Sequence, residues 1–158
     1  MNTQDQIYIK TVSARELKMT RRMNDEGLSP RLLYSDNKPD ENGNTQIILE
    51  RYPYTLVSFF KEFPNADSEA VCEAVTEVIQ EMHDIGIIHG DLHADNIVIR
   101  PKGEGKFDVK LIDFSETFDS WDWYDQSDID NFNEYTAEKC KTIEECFAVE
   151  LSMFKECI

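Results

Sequence analysis

Apolar and polar positions alternate through Gln6-Ile7-Tyr8-Ile9-Lys10, a period of two that predicts a strand with Lys10 at its end. Ser13-Ala-Arg-Glu16 follows as a capping box, Ser at the N-cap and Glu three residues on. It opens a helix to about Glu26 that Gly27-Leu-Ser-Pro30 stops. Arg31–Ser35 and Thr45–Glu50 are short apolar runs on either side of a polar turn with Lys38-Pro39 and Asn42-Gly43, as in an antiparallel pair. The period then changes. From Asp67 or Ser68 to Ile85, Val71, Val75, Val78, Ile79 and Met82 form one helical stripe and leave Glu69, Glu73, Glu77 and Glu81 to water. Ile97–Ile99 and Val109–Ile112 bracket a Gly-rich hairpin turn, Pro101–Lys106, and Thr142-Ile-Glu-Glu145 caps a last helix carrying Ile143, Phe147, Leu151 and Phe154 on one face.

Composition adds limits to this pattern. The chain of 158 residues, 41% apolar and 11% aromatic, suffices for one ordinary domain or for two small lobes around one cleft. Its formal net charge of -16 opposes binding to nucleic-acid phosphates and favours cationic partners, although most of the acids are expected only to keep a small domain soluble. Cys72, Cys140, Cys146 and Cys157 lack metal-ligand spacing, and free thiols in a reducing compartment are expected. No apolar run approaches a membrane span and the polar start lacks a signal-peptide core, so no membrane partner is expected, and the expected compartment is the cytosol, the cell's own or a host's.

The candidate chemistry lies between Met82 and Ile99, where a helical pattern ends at Gly86 and a polar loop leads into an apolar β-branched run. Asp91 is followed five residues later by Asn96, and downstream the strand Val109-Lys-Leu-Ile112 runs into Asp113-Phe-Ser. A carboxylate and an amide oxygen on two loops suit Mg²⁺, a hard cation that keeps some water beside substrate phosphates. A second carboxylate held off the metal can orient an attacking hydroxyl.

In order and in context, these segments resemble the protein-kinase-like fold: the His-x-Asp-x-x-x-x-Asn catalytic loop, then the Asp-Phe-Gly strand end. The resemblance spans roughly residues 6 to 136 and implies an α+β, bilobal domain over 1–158. Its reduced N-terminal lobe (1–50) would have a few antiparallel strands, one helix and no Gly-rich loop, and its shortened C-terminal lobe (51–158) would be mainly helical. It implies ATP and Mg²⁺, with Asp91 as base or orienter, Asn96 and Asp113 on the metal, and Lys10 on the α- and β-phosphates. Glu16 is the implied partner of Lys10 and Glu26 the fallback. Leu49 takes the gatekeeper position, with main chain from Glu50 to Tyr52 facing adenine. His93 faces the γ-phosphate, His89 buttresses the loop, and Asp128, in Ser127-Asp-Ile-Asp-Asn-Phe132, hydrogen-bonds the loop backbone. Gly90 stands where protein kinases carry arginine, so control by a phosphorylated activation loop is not expected.

The implied function is that of a minimal atypical Ser/Thr protein kinase; the alternatives are a pseudokinase that binds a partner by mimicry, or a small-molecule hydroxyl phosphotransferase. A shortened C-terminal lobe, lacking the helices that build small-molecule pockets, favours a protein substrate. The acid-rich stretch with Glu116, Asp119, Asp122, Asp125, Asp128 and Asp130 around Trp121, Trp123 and Tyr124 is expected to favour a basic one, or to be a solvated loop whose tryptophans cover the core.

Overall fold

The computed structural model describes residues 6–120 and 125–153. Strand β1 (Ile7–Ser13) ends at an N-cap: Ser13 Oγ accepts the Glu16 backbone N–H at 3.1 Å and starts helix α1 (Ala14–Asp25). After α1 the chain returns through β2 (Leu32–Ser35) and β3 (Asn44–Glu50), which form an antiparallel sheet in the order β1-β3-β2. Its own core is small, with Val12, Ile47 and Leu49 buried and Leu17 and Leu32 packed against them. Met19 and Met23 of α1 join the main core instead, so the helix bridges the two halves of the molecule.

That main core belongs to the second half. Strand β4 (Tyr54–Thr55) pairs with β6 (Ile97–Gly103), which forms a hairpin with β7 (Lys106–Leu111). Helix α3 (Ser68–Asp84) buries Val71, Val75, Ile79 and Met82, as its stripe requires, at roughly 1.5–3 kcal/mol per large side chain. The sequence pattern did not announce helix α2 (Leu56–Glu62). Its seven residues are capped at Thr55 by Ser58 at the third position, not by Glu or Gln, and Leu56 and Phe59 anchor it.

A two-residue strand β5 (Ile87–Ile88) pairs with β8 (Phe118–Asp119), drawing the segment after Asp113 onto the loop that begins at His89. Helices α4 (Gln126–Thr136) and α5 (Ile143–Ser152) close a further core of Ile88, Phe118, Ile129, Phe132, Cys140 and Cys146. Among the described residues the result is α+β, with small antiparallel sheets and five α-helices in a compact kinase-like bilobal fold.

One expectation is corrected. Cys140 and Cys146 are free and buried, but Cys72 is disulfide-bonded, a pairing that linear spacing does not reveal. Trp121, Asp122, Trp123, Tyr124, Phe154 and Cys157 lie outside the described residues. Among the described residues no helix is long and apolar enough to cross a membrane.

Candidate active site

A cleft separates the β1-β3-β2 sheet from the β6–β7 hairpin, and its two ends differ in chemistry. At the inner end Lys10 Nζ lies 2.5 Å from Glu16 Oε2 and 3.2 Å from Asp113 Oδ1, so one ammonium ties α1 to the strand end beyond β7. Burial alone would lower the Lys10 pKa, but the hydrogen bond and charge of Glu16, then the charge of Asp113, outweigh it and hold the ammonium above its ordinary value. Glu26 is an exposed helix cap, so Glu16 is the lysine's partner. Its side chain is spent on Lys10, and only the Ser13 half of the expected capping box forms.

At the outer end lies a hollow of about 330 Å³ beside the β3–β4 connection, lined by Tyr8, Pro30, Leu49, Glu50, Tyr52, Val98 and Ile112 among others. Tyr8, Pro30, Leu49 and Ile112 line both ends, so an apolar slot beside main chain continues into a charged terminus. A planar base followed by phosphates has that profile. Tyr52 borders this hollow. Its ring stacks under Arg100 at 4.2 Å, and its phenol, pushed up by burial and by the Asp108 carboxylate it donates to at 2.7 Å, is part of the framework.

The loop His89–Asn96 is tied to Ile112, which lines both ends of this cleft, and is held from several sides. His89 Nδ1 accepts the Asp91 N–H at 3.2 Å and its Nε2 donates to Ile112 O at 2.7 Å, which fixes the ring tautomer and joins the loop to the strand before Asp113. Asn96 Nδ2 donates to Asp91 O at 2.9 Å, leaving its amide oxygen as the group for a cation. Ile112 N–H donates to Asn96 O at 3.0 Å, a second tie between the two segments. Among the described residues the Asp91 carboxylate has no charged partner closer than His93 Nε2 at 3.8 Å, and His93 is half exposed.

Two backbone conformations matter here. Asp113 has φ +66°, in the left-handed region that Asp tolerates better than most residues, whereas Ser115 has no positive φ and replaces glycine without strain. Gly90 has φ +91°, and a Cβ there would come within 2.3 Å of Glu116 O. With Thr117 Oγ1 donating to His89 O at 2.7 Å, that close approach lays residues 116 and 117 directly on the loop. Glu116 thereby reaches Tyr135 of α4. The charge of Glu116, its hydrogen bond and then the charge of Asp91 raise the exposed Tyr135 phenol above its ordinary pKa.

Asp128, expected to bond the loop backbone, does something else: it caps α4 against Asp125 and accepts from Arg15 Nη2 of α1 at 2.6 Å. The support comes from Glu150 of α5, only 1% exposed. Glu150 Oε1 accepts the His89 N–H at 3.1 Å and His83 Nε2–H at 2.8 Å, and Oε2 accepts the Gly90 N–H at 3.0 Å. Sequence reasoning had no pointer to Glu150 except its position on an otherwise apolar helix face beside Phe147 and Leu151. Asp119 is corrected too: at 2% exposure, with Arg22 Nη1 2.9 Å away, it cannot steer a ligand from solution.

Whether these residues suit Mg²⁺ is decided by the donor set. Among the described residues no three His, Cys, Asp or Glu side chains form a metal cage. Asn96 and Asp113 offer one amide and one carboxylate oxygen, which fits a cation that arrives on phosphate and keeps water, not a resident ion.

Comparison with known proteins agrees with this geometry. Residues 8–142 match the lipopolysaccharide kinase (Kdo/WaaP) family. The chain belongs to that family. It is also 29% identical to the KEOPS complex subunit Bud32 of Pyrococcus abyssi over 116 residues, 70% of this chain and 49% of that protein. A shorter similarity, 33% over 54 residues, joins 34% of the chain to 15% of a protein of Oryza sativa subsp. japonica named "Putative cyclin-dependent kinase F-2". The chain thus spans about half the length of the first relative and less of the second. Family and relatives together support a kinase-like phosphotransferase.

Proposed function

We propose that the protein transfers the γ-phosphoryl group of ATP to a hydroxyl on a protein acceptor with a basic surface. The observation that carries this reading is the Lys10 ammonium bridging Glu16 and Asp113 beside a strand end, Ile112, that is itself hydrogen-bonded to His89 and Asn96 of the loop carrying Asp91. The base of ATP would occupy the apolar slot beside Leu49 and the main chain of residues 50–52, with its phosphates at Lys10 and His93. Asn96 and Asp113 would hold Mg²⁺, which supplies charge neutralisation on the phosphate oxygens. Asp91 would orient the acceptor hydroxyl and take its proton. The charges of Glu116 and Asp91 both act on the exposed Tyr135 phenol, and this acidic, aromatic setting is the support for a basic acceptor. The family's printed name points to a lipopolysaccharide hydroxyl as the second acceptor class.

The test combines calorimetric titration of Mg-ATP with transfer of labelled phosphoryl groups to a basic protein and to lipopolysaccharide. Asp113→Ala is expected to abolish Mg²⁺-dependent affinity. Asp91→Asn is expected to bind ATP normally and lose about 10²–10⁴-fold in transfer. ATP affinity that ignores Mg²⁺, or transfer indifferent to Asp91, would overturn the proposal and leave a binding module of kinase shape.

A further inference from the structure

Helix α1 carries Glu16, and two of its side chains reach outside its own sheet to fix where the helix stands. Arg15 and Arg22 are seven residues apart, two turns, so they leave the same face. Arg15 Nη2 donates to Asp128 Oδ1 at 2.6 Å and to Thr117 O at 3.3 Å. Arg22 Nη1 donates to Asp119 Oδ2 at 2.9 Å and its Nη2 to Ile85 O at 3.2 Å. Each guanidinium thus joins a carboxylate and a main-chain carbonyl, a reach that a single ammonium does not reproduce. All four acceptors belong to the second half of the molecule, and both carboxylates are nearly closed to water, Asp119 at 2% and Asp128 at 7% exposure. The helix cannot swing outward without taking its arginines from two buried charges, which is costly.

Lys10 stands between two carboxylates in unequal settings. The Glu16 side chain is 8% exposed and lies 2.5 Å from Nζ, whereas that of Asp113 is 41% exposed and lies 3.2 Å away. With α1 displaced, the ammonium would lose Glu16, keep Asp113 as its remaining carboxylate and close on it. Which carboxylate holds the lysine therefore depends on where α1 stands. The segment after Asp113 is set from the same helix, because Arg15 bonds Thr117 O while Thr117 Oγ1 donates to His89 O at 2.7 Å. Residues 113–117 are held between α1 and the loop, and the anions that the arginines grip are carboxylates of the chain itself.

We infer that Arg15 and Arg22 are positioning residues, which keep Glu16 on Lys10 and so hold the ammonium off Asp113, leaving that carboxylate for the cation that arrives with nucleotide. The use of Asp113 rests on the phosphoryl-transfer reading; the dependence of the Lys10–Glu16 pair on the two arginines is a property of the fold alone. The arrangement is complete before nucleotide binds and needs no added charge to assemble it. Arginines that merely fastened the two halves of the molecule together would leave the division of Lys10 between its carboxylates unchanged, and that difference can be measured.

Arg22 is the residue to change, because Arg15 adjoins Glu16 and a substitution there disturbs it directly. Urea unfolding of the full chain compares Arg22→Met, Glu16→Gln and the double variant with no nucleotide present. The effect of Glu16→Gln on the unfolding equilibrium constant is expected to be at least about threefold smaller in the Arg22→Met background, where the pair it breaks is already loosened; independent sites multiply instead. Calorimetric titration of ATP at a series of Mg²⁺ concentrations reads the second consequence. Half-maximal binding is expected to need at least about threefold more Mg²⁺ in Arg22→Met than in the parent, the scale of one partly exposed ion pair, with affinity at saturating Mg²⁺ close to the parent's. Arg22→Lys keeps the charge and is expected to recover part of the difference, and it replaces Arg22→Met in both measurements if that variant does not fold. Effects that multiply in the unfolding cycle, or a Mg²⁺ requirement unchanged by Arg22→Met in a parent that binds Mg-ATP, overturn the inference. A parent that binds no nucleotide overturns the transfer reading instead, and the unfolding cycle then decides the role of the arginines by itself.

Discussion

The loop His89–Asn96 and strand β1 both carry charged groups of the candidate site, and they are held in opposite ways. The loop is secured on every side: Glu150 on its backbone from behind, His89 on Ile112, Thr117 on the His89 carbonyl, Asn96 on the Asp91 carbonyl. Among the described residues β1 pairs with one strand, and its lysine is held by two carboxylates, Glu16 buried and Asp113 open to water. The difference matches what the proposed function asks of each. A group that orients a hydroxyl needs placement within tenths of an ångström, and only buried, fully satisfied hydrogen bonds give that stiffness. An ammonium that neutralises phosphate acts through charge, which tolerates movement.

The sharpest way to break the contrast is Glu150→Ala. It strands the N–H groups of His89 and Gly90 and the His83 ring in a region closed to water, and about 3–5 kcal/mol of stability should be lost, as for removal of one member of a buried polar network. Denaturant midpoints measure the loss. Glu150→Gln keeps one acceptor oxygen and should lose less. Any residual transfer in these variants should fall while ATP affinity is retained, because the cleft's apolar slot is built from other elements. Equal stability of Glu150→Ala and the parent would mean that the loop is held from the cleft side alone.

Gly90→Ala comes next in size. The added methyl group must displace Glu116 O, backbone that is itself tied down through Thr117, and the residue must keep φ +91°. About 1–3 kcal/mol is the expected cost. Because the displaced segment carries Glu116 beside Tyr135, selectivity for basic over neutral acceptors should decline along with stability. Competition between two peptides of different charge measures this without reference to absolute rate.

These two cases also show where the sequence could and could not be read. The loop carrying Asp91 and Asn96, the strand end at Asp113 and the pairing of Lys10 with Glu16 were legible through the resemblance of short ordered motifs, and the fold joins the loop to that strand end and Lys10 to Glu16. Glu150 was not, since nothing local marks a helix carboxylate whose partners lie about sixty residues earlier. Asp128 was assigned the loop-supporting role because its motif fits; in the fold its carboxylate is used by Arg15 and by the α4 cap, and the contact passes to a helix that packs closer. Asp119 looked like one of a row of solvent acids, and the two-residue β5–β8 pairing turned it inward to Arg22. In each miss a long-range contact outweighed a local pattern. The fold itself was readable further, because strand alternation and helix stripes are local properties; α2 escaped because seven residues with an unusual cap leave little periodicity to detect.

The smallest effect sharpens the β1 side of the comparison. Burial works against the Lys10 charge, but Glu16 and Asp113 raise its pKa above the ordinary 10.5, so the folded state holds this proton more tightly than the unfolded chain does. The sign follows directly. The stabilisation is complete below about pH 10.5, is constant through the neutral range, and is lost as pH rises through the higher folded-state value. Tyr52, raised by burial and by Asp108, and Cys146, pushed up to about 12 mainly by burial, add alkaline losses of the same sign, so the parent's profile alone does not isolate the lysine. Lys10→Met does. It should lower stability at neutral pH, where the pair is intact, and decline less steeply than the parent above pH 10.5, so that the two curves converge. Urea titrations at a series of pH values give both slopes. Parallel curves would mean that Lys10 is equally protonated in both states and that its two carboxylates position it without binding its proton.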